Sequence, residues 1–213
     1  MPYRPTEKTQ RRQAQTRAAI VDAALAQVAE GGYASAGVQA VATRAGVATG
    51  SVYRHFGSKA ELFAEVFRRA AHRELAVVER TVAETGGSTL ERIAAAAEAF
   101  ARRALAGKRL AWSQLAEPVD PAVEAERLVL RKGYRDAFAR TLDEGVAAGE
   151  LPPHDTSTVA AALVGALGEA LVGPLSEASP PEHDRLVATL VKLCTDAVPR
   201  EEIAHGRRLA PVA

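Results

Sequence analysis

Apolar residues recur at steps of three and four along most of the chain, and the strict alternation expected of strands is absent. From Thr16, "TRAAIVDAALAQVAEGGY" places Ile20, Ala24, Leu25, Val28 and Ala29 on one helical face, and Gly31-Gly32 stops that helix. "VQAVATRA" (38–45) predicts a short helix closed by Gly46, and a third helix is expected from near Thr49 to near Phe56. Ser58 has the character of an N-cap, with Glu61 three residues on completing a capping box. The helix that follows, 59–84, carries Leu62, Val66, Ala70 and Leu75. Gly86-Gly87-Ser88 then divides the chain, and beyond it helices are expected at about 89–106, 108–116, 121–148, 156–172 and 183–198. Their breaks are Gly107, "EPVDP", "GELPPHD" and "SEASPPEHD". The expected fold is all-α: a flexible basic arm over 1–15, a three-helix unit over 16–60, a larger helical body over 61–200, and a frayed tail from 201.

Composition agrees with helix: Ala, Val and Leu dominate an apolar share of 47%, and aromatics make up only 5%. The net charge of +1 hides an asymmetry. Residues 1–60 hold eight Lys/Arg against three acids, so the remainder of the chain is acidic. A basic end on an acidic body points to a polyanionic partner at that end.

Other chemistries find little support. Cys194 is the only cysteine, which excludes an intrachain disulfide and a thiol-rich metal site. His55, His72, His154, His183 and His205 are scattered without i,i+4 pairing. G-x-S-x-G, P-loop and H-E-x-x-H patterns are absent, so neither an enzyme nor a resident cofactor is expected. The first twenty residues are polar and basic, unlike a signal peptide. The apolar run 159–175 is interrupted by Glu169 and expected to end at Pro174, which argues against a membrane span and for a cytoplasmic protein.

The stretch "AGVATGSVYRHFGSK" (45–59) carries the most specific chemistry. Two short helices crossing steeply need a small residue at their contact, a turn residue that tolerates positive φ, and apolar wedges behind it. Ala42, Gly46, Val47 and Val52 stand at those positions. This is helix-turn-helix spacing, in which the second helix enters the DNA major groove. On that helix Thr49, Gly50 and Ser51 offer backbone N–H groups and short hydroxyls to a phosphate, while Tyr53, His55 and Lys59 project as donors. Arg54 has the planar fork that reads guanine bidentately.

The pattern Ala42-x-x-Ala45-Gly46-Val47-x-x-Gly50-x-x-Tyr53-x-His55-Phe56-x-Ser58-Lys59-x-x-Leu62 resembles the signature of the TetR (tetracycline-repressor) family of bacterial regulators. The resemblance covers roughly residues 14–65. It implies a homodimer that binds operator DNA through its first three helices and holds a small-molecule effector in the helical body. It also implies phosphate contacts at Tyr53, His55 and Lys59, and base contacts at Gln39, Thr49, Gly50 and Arg54. The family usually opens its second helix with Thr followed by Ser or Thr. This chain has Ala36-Gly37 there, leaving Ser35 as the only nearby hydroxyl. The basic arm (Arg4, Lys8, Arg11, Arg12) is a candidate to compensate by tracking phosphates.

In the body, Leu130, Tyr134, Phe138 and Leu142 share one stripe of the 121–148 helix, with Phe100 and Trp112 on neighbouring helices. Phe100, Trp112, Tyr134 and Phe138 are therefore the candidate effector-binding residues. Arg127 and Arg131 lie beside that stripe and could meet an anionic group, with ion pairs to Glu124 or Glu126 as the alternative. The 156–172 helix is rich in Ala and Gly, and the 183–198 helix sets Leu186, Leu190 and Leu193 on one side. These two helices are expected to pair with a second copy as a four-helix bundle.

Overall fold

The computed structural model describes residues 6–176 and 182–200, and every regular element among them is a helix. In chain order these are α1 (Glu7–Gly31), α2 (Val38–Arg44), α3 (Thr49–His55), α4 (Lys59–Glu84), α5 (Thr89–Ala106), α6 (Lys108–Leu115), α7 (Pro121–Ala147), α8 (Thr156–Ser176) and α9 (His183–Asp196). Arg4, residues 177–181 of the "SEASPPEHD" break and the tail from 201 lie outside the described residues.

Two ends differ from the sequence expectation. Residues 7–15 do not form a loose arm; they are the first turns of α1. Thr6 caps that helix, its hydroxyl accepting from the Thr9 N–H at 3.4 Å, and Arg11 pairs with Glu7 at 3.4 Å. Gln, Arg and Ala propagate helix well without an apolar face, so periodicity alone could not find these turns. At the other end α8 runs through Pro174 to Ser176. Burial of Leu171 and Leu175 on one face carries the helix past the proline, which removes one hydrogen bond near the terminus, where few remain to lose.

The helix-turn-helix assembles as its spacing predicts. Ala42 and Val52 are buried, Val47 packs against the same core, and Gly46 takes φ +68°. The Val47 N–H returns to the Ala42 carbonyl at 3.0 Å, closing the turn. This core holds α1, α2 and α3 around Ile20, Val41 and Phe56 and draws in Phe63 and Phe67 from α4. It also takes in Val123 from the start of α7, with Leu110 and Val119 packed alongside. The three-helix unit is therefore closed by the body.

The second core lies among α4, α5, α7, α8 and α9. Ser88 caps α5 in a full capping box with Glu91, and Asp155 accepts from the Thr158 N–H at 2.9 Å at the start of α8. Along α8 Leu163, Leu167, Leu171 and Leu175 point inward, while Ala161, Ala162 and Gly165 lie on the open side with Glu169. Among the described residues α8 is the one helix long and apolar enough to cross a membrane, and only 28% of it is buried. On α9, Val187, Leu190 and Cys194 are buried within the chain, and burial raises the Cys194 thiol from 9.0 to about 11. Leu190 therefore does not lie on the open face, as its spacing with Leu186 and Leu193 had implied. That face belongs to Leu193, which is 46% exposed.

Helices α5 and α7 meet closely at Gly145, where an added Cβ would lie 2.4 Å from the Thr89 hydroxyl oxygen. Thr89 is itself buried in the first turn of α5. In an open helix interior, Gly→Ala stabilises by about 1 kcal/mol. Here Gly145→Ala should instead destabilise by about 1–3 kcal/mol through overpacking, read from the urea unfolding midpoint. A variant more stable than the parent would show that α5 and α7 have room to spare.

Candidate nucleic-acid interface and effector cavity

The outer face of the helix-turn-helix is formed by the residues that the core leaves out. Gln39 on α2 and Thr49, Gly50, Tyr53 and Arg54 on α3 are exposed, and Ser51, His55 and Lys59 are half-buried at its edges. Six of the eight sequence candidates lie on α3, with Gln39 on α2 and Lys59 at the start of α4, and none of them is buried. Tyr53 is 51% exposed although nothing prevents a tyrosine from packing inward, and it stands among the few large side chains left open. Lys59 leaves the first turn of α4 with its ammonium 5.2 Å from the Tyr33 ring centroid and 5.5 Å from that of Phe63. The rings hold the cation in place without a counter-ion.

Ion pairing divides the cations of this unit into two groups. Arg11 pairs with Glu7, Arg17 with Glu65 at 3.3 Å, and Arg44 with Glu30 at 2.7 Å. Arg17 also lies over the Phe56 ring at 4.6 Å. Arg12 and Arg54, by contrast, meet no acidic side chain among the described residues, and they line one cleft with Thr9, Gln13, Thr16, Ser51 and His55. The first turns of α1 and the flank of α3 form its two walls. The sequence could not show this cleft, because it treated residues 7–15 as unstructured.

The opening of α2 differs from the expected phosphate contact. Gly37 occupies the N-cap with no side-chain hydrogen bond, and its own N–H donates to Gln27 Oε1 at 3.3 Å. Ser35 donates to the Gly32 carbonyl instead, so it does not cap α2.

In the body a cavity of about 60 Å³ lies between α4, α5, α6 and α7, and adjoins a groove of about 440 Å³ between α7 and α8. Phe100, Gln114, Leu115, Leu130 and Tyr134 border both. Phe100 and Tyr134 meet edge to face with centroids 5.1 Å apart, and burial pushes the Tyr134 phenol well above its usual range. Two of the four aromatic candidates are therefore lining residues. Trp112 and Phe138 line neither space: Phe138 is sealed in the core at 2% exposure, and Trp112 packs against the outside of that core. A stripe at i,i+4 fixes only the direction of a side chain, not whether a neighbouring helix fills the space before it.

Sequence reasoning overlooked Gln114. Its amide nitrogen is buried without a hydrogen-bond partner, at the junction of cavity and groove. An uncharged residue on a short helix carries no signal of such a role. Arg131, Lys132 and Arg135 rim the groove, faced by Glu169 on α8. Lys132 and Arg135 both reach Asp136, whereas Arg131 has no acidic partner among the described residues. Arg127 lies deeper, at 7% exposure, and binds the Ser113 and Glu117 carbonyls together with Glu124 at 2.9 Å.

This arrangement has counterparts among known proteins. Residues 20–66 match the family described as bacterial regulatory proteins, tetR family, and residues 86–170 match the tetracyclin repressor-like C-terminal domain. The chain belongs to the TetR family. The HTH-type transcriptional repressor KstR of Mycolicibacterium smegmatis is 40% identical over 81 residues, which are 38% of this chain and 39% of that repressor. The similarity thus spans about two fifths of that relative's length. Among solved structures, the regulator FadR from Bacillus subtilis in complex with stearoyl-CoA superposes with a TM-score of 0.72 at 22% identity, covering 85% of this chain and 98% of the other. RolR in complex with resorcinol superposes with a TM-score of 0.65 at 19% identity, covering 92% and 100%. These two share the TetR fold with this chain.

Proposed function

We propose that this TetR protein is a cytoplasmic transcriptional repressor, a two-fold dimer that binds near-palindromic operator DNA and is released from it by a small amphiphilic effector. The observation that carries the DNA-binding half is the division of cations. Arg11, Arg17 and Arg44 pair with acids, whereas Arg12 and Arg54 at the cleft between α1 and α3 pair with none among the described residues and are left for an external polyanion. Tyr53, His55, Lys59 and Arg12 then neutralise or bond phosphates, while Gln39 and Arg54 reach base edges. Half-sites about one helical turn apart suit a dimer whose α3 helices enter successive major grooves.

The effector half rests on the paired spaces. An apolar body suits the groove beside Phe100, Leu130 and Tyr134, with the smaller cavity receiving only its tip, and a carbonyl or similar acceptor would satisfy Gln114. An acidic head would meet Arg131 at the groove rim. That FadR holds stearoyl-CoA, an apolar chain with an acidic head, supports this choice over a purely apolar molecule. No step of this reading needs the protein to be an enzyme.

The DNA contacts are separable by salt. Arg12→Ala and Lys59→Ala should each flatten the dependence of log K on log salt by about 0.9, the loss of one phosphate contact, without changing the preferred sequence. Arg54→Ala and Gln39→Ala should instead relax sequence preference, by about 1–3 kcal/mol for a good base contact. Parental salt slopes for both lysine and arginine variants, measured by fluorescence anisotropy on an upstream duplex, would refute this docking.

The dimer is expected through the open faces of α8 and α9. Leu193→Arg should yield a folded monomer by sedimentation, with helical circular dichroism unchanged. A variant that stays dimeric would place the interface elsewhere.

For the effector, oleoyl-CoA serves as the probe. It should weaken operator binding, and operator should weaken probe binding by the same factor, since coupling is reciprocal. Phe100→Ala, Gln114→Leu and Arg131→Ala should blunt that response, whereas Trp112→Ala should leave it near parental. Equal responses from all four variants would move the effector site away from these spaces.

A further inference from the structure

The turn between α1 and α2 is bonded to the body through a buried carboxylate. Glu117, in the segment after α6, is 8% exposed and accepts from the Tyr33 N–H at 2.8 Å and the Ala34 N–H at 2.8 Å. The Ser113 hydroxyl, at 0% exposure, donates to the same carboxylate and lies 3.2 Å from the Tyr33 nitrogen. Burial opposes the charge of Glu117, but the Ser113 hydroxyl, the two amides and the Arg127 guanidinium outweigh it and hold the carboxyl below its usual range. The group is therefore an anion, tied to the turn by charge-assisted hydrogen bonds.

The turn is shaped to receive it. Gly32 has φ +84°, and a Cβ there would lie 3.1 Å from both Glu117 carboxylate oxygens. Tyr33 adds a second tie, its hydroxyl donating to Asp120 at the N-cap of α7, while its ring meets Phe63 edge-on at 5.3 Å. The turn thus sits between α4 and the α6–α7 connection, and α2 begins a few residues beyond it.

The same few residues of the body also border the effector spaces. On α6, Ala111, Gln114 and Leu115 line the cavity, while Ser113 faces the turn. Arg127 borders the groove and donates to the backbone carbonyls of Ser113 and Glu117. We infer that Glu117 is a positioning residue that holds the helix-turn-helix in its DNA-reading pose, and that displacement of α6 or Arg127 by a ligand loosens this hold. Glu117 touches neither DNA nor ligand. Its release lets the α1–α2 turn shift against α4, and α2 and α3 move with it.

The DNA arm of the test rests on the operator-binding reading, so a second arm avoids DNA altogether. In Glu117→Gln one N–H acceptor becomes a donor, and the charge is lost. In the ligand-free full-length dimer this variant should lose about tenfold or more in operator affinity, the cost of a charged buried hydrogen bond. Ser113→Ala, which keeps the carboxylate and both amide bonds, should lose less. Val187→Ala, in the second core and distant from the turn, serves as a control for stability: it should lower the melting temperature yet keep operator affinity.

In the DNA-free arm, hydrogen exchange at the turn containing Tyr33 and Ala34 should speed up in Glu117→Gln by about tenfold or more, with parental rates in α8. Adding oleoyl-CoA to the parent should raise exchange at that turn, and this increment should shrink in the variant. Three results would overturn the inference: parental exchange at the turn in Glu117→Gln, parental operator affinity in that variant, or equal affinity loss in Val187→Ala. If the parent itself bound no duplex, the operator reading would fail alone, and exchange at the turn would still decide the role of Glu117.

Discussion

The helix-turn-helix of this protein cannot close its own core, and much of the rest of the architecture is arranged around that deficit. Three helices of 25, 7 and 7 residues bury Ile20, Val41 and Phe56 only when the first turns of α4 and the α6–α7 connection cover them. Small units bury too little surface to be stable alone, so a neighbour must supply the missing wall. Val123, Leu110 and Val119 supply the apolar part, and Glu117 supplies the polar part by satisfying the two turn amides that this wall would otherwise strand. A buried carboxylate is costly unless fully bonded, and this one is. The result is a DNA-reading unit whose geometry depends on a segment of the body more than eighty residues away.

That dependence bears on the cavity and groove of the body. Helix α6 has only 8 residues and is covered by the turn on one side and the cavity on the other. It cannot accommodate a new occupant on its inner side without moving on its outer side, because packed interfaces shift between arrangements rather than deform smoothly. The longer helices are less suited to that role. The α4–α7 pair is pinned by Arg68 with Glu126 and by Arg140 with Glu79, and α4 is tied to α5 by Arg103 with Glu74. These pairs are partly exposed and individually weak, but they act at several levels along the bundle.

Charge is distributed on the same plan. Acids neutralise the arginines that brace helix against helix, as with Arg17 and Glu65 or Arg69 and Asp22. Where the surface faces outward at α3, the partners are aromatic rings or none. The near-zero net charge of the whole chain therefore conceals a local field suited to a polyanion.

The sequence determined whatever depends on neighbours within a helical turn or two. Helix positions followed from apolar steps of three and four, the start of α4 from Ser58, and the helix-turn-helix from Ala42, Gly46 and Val52. The eight candidate DNA-contacting residues lie within 21 residues of chain, and none of them is buried. The tertiary structure alone decided which apolar residue faces a void and which faces another side chain. It made Tyr134 and Phe100 lining residues and Phe138 core, and it turned Leu190 inward and Leu193 outward. It also decided that "EPVDP", legible only as a break between helices, holds the carboxylate on which the reading unit rests. Local periodicity cannot show this, because Glu117 and Tyr33 are 84 positions apart and meet only when the chain has folded.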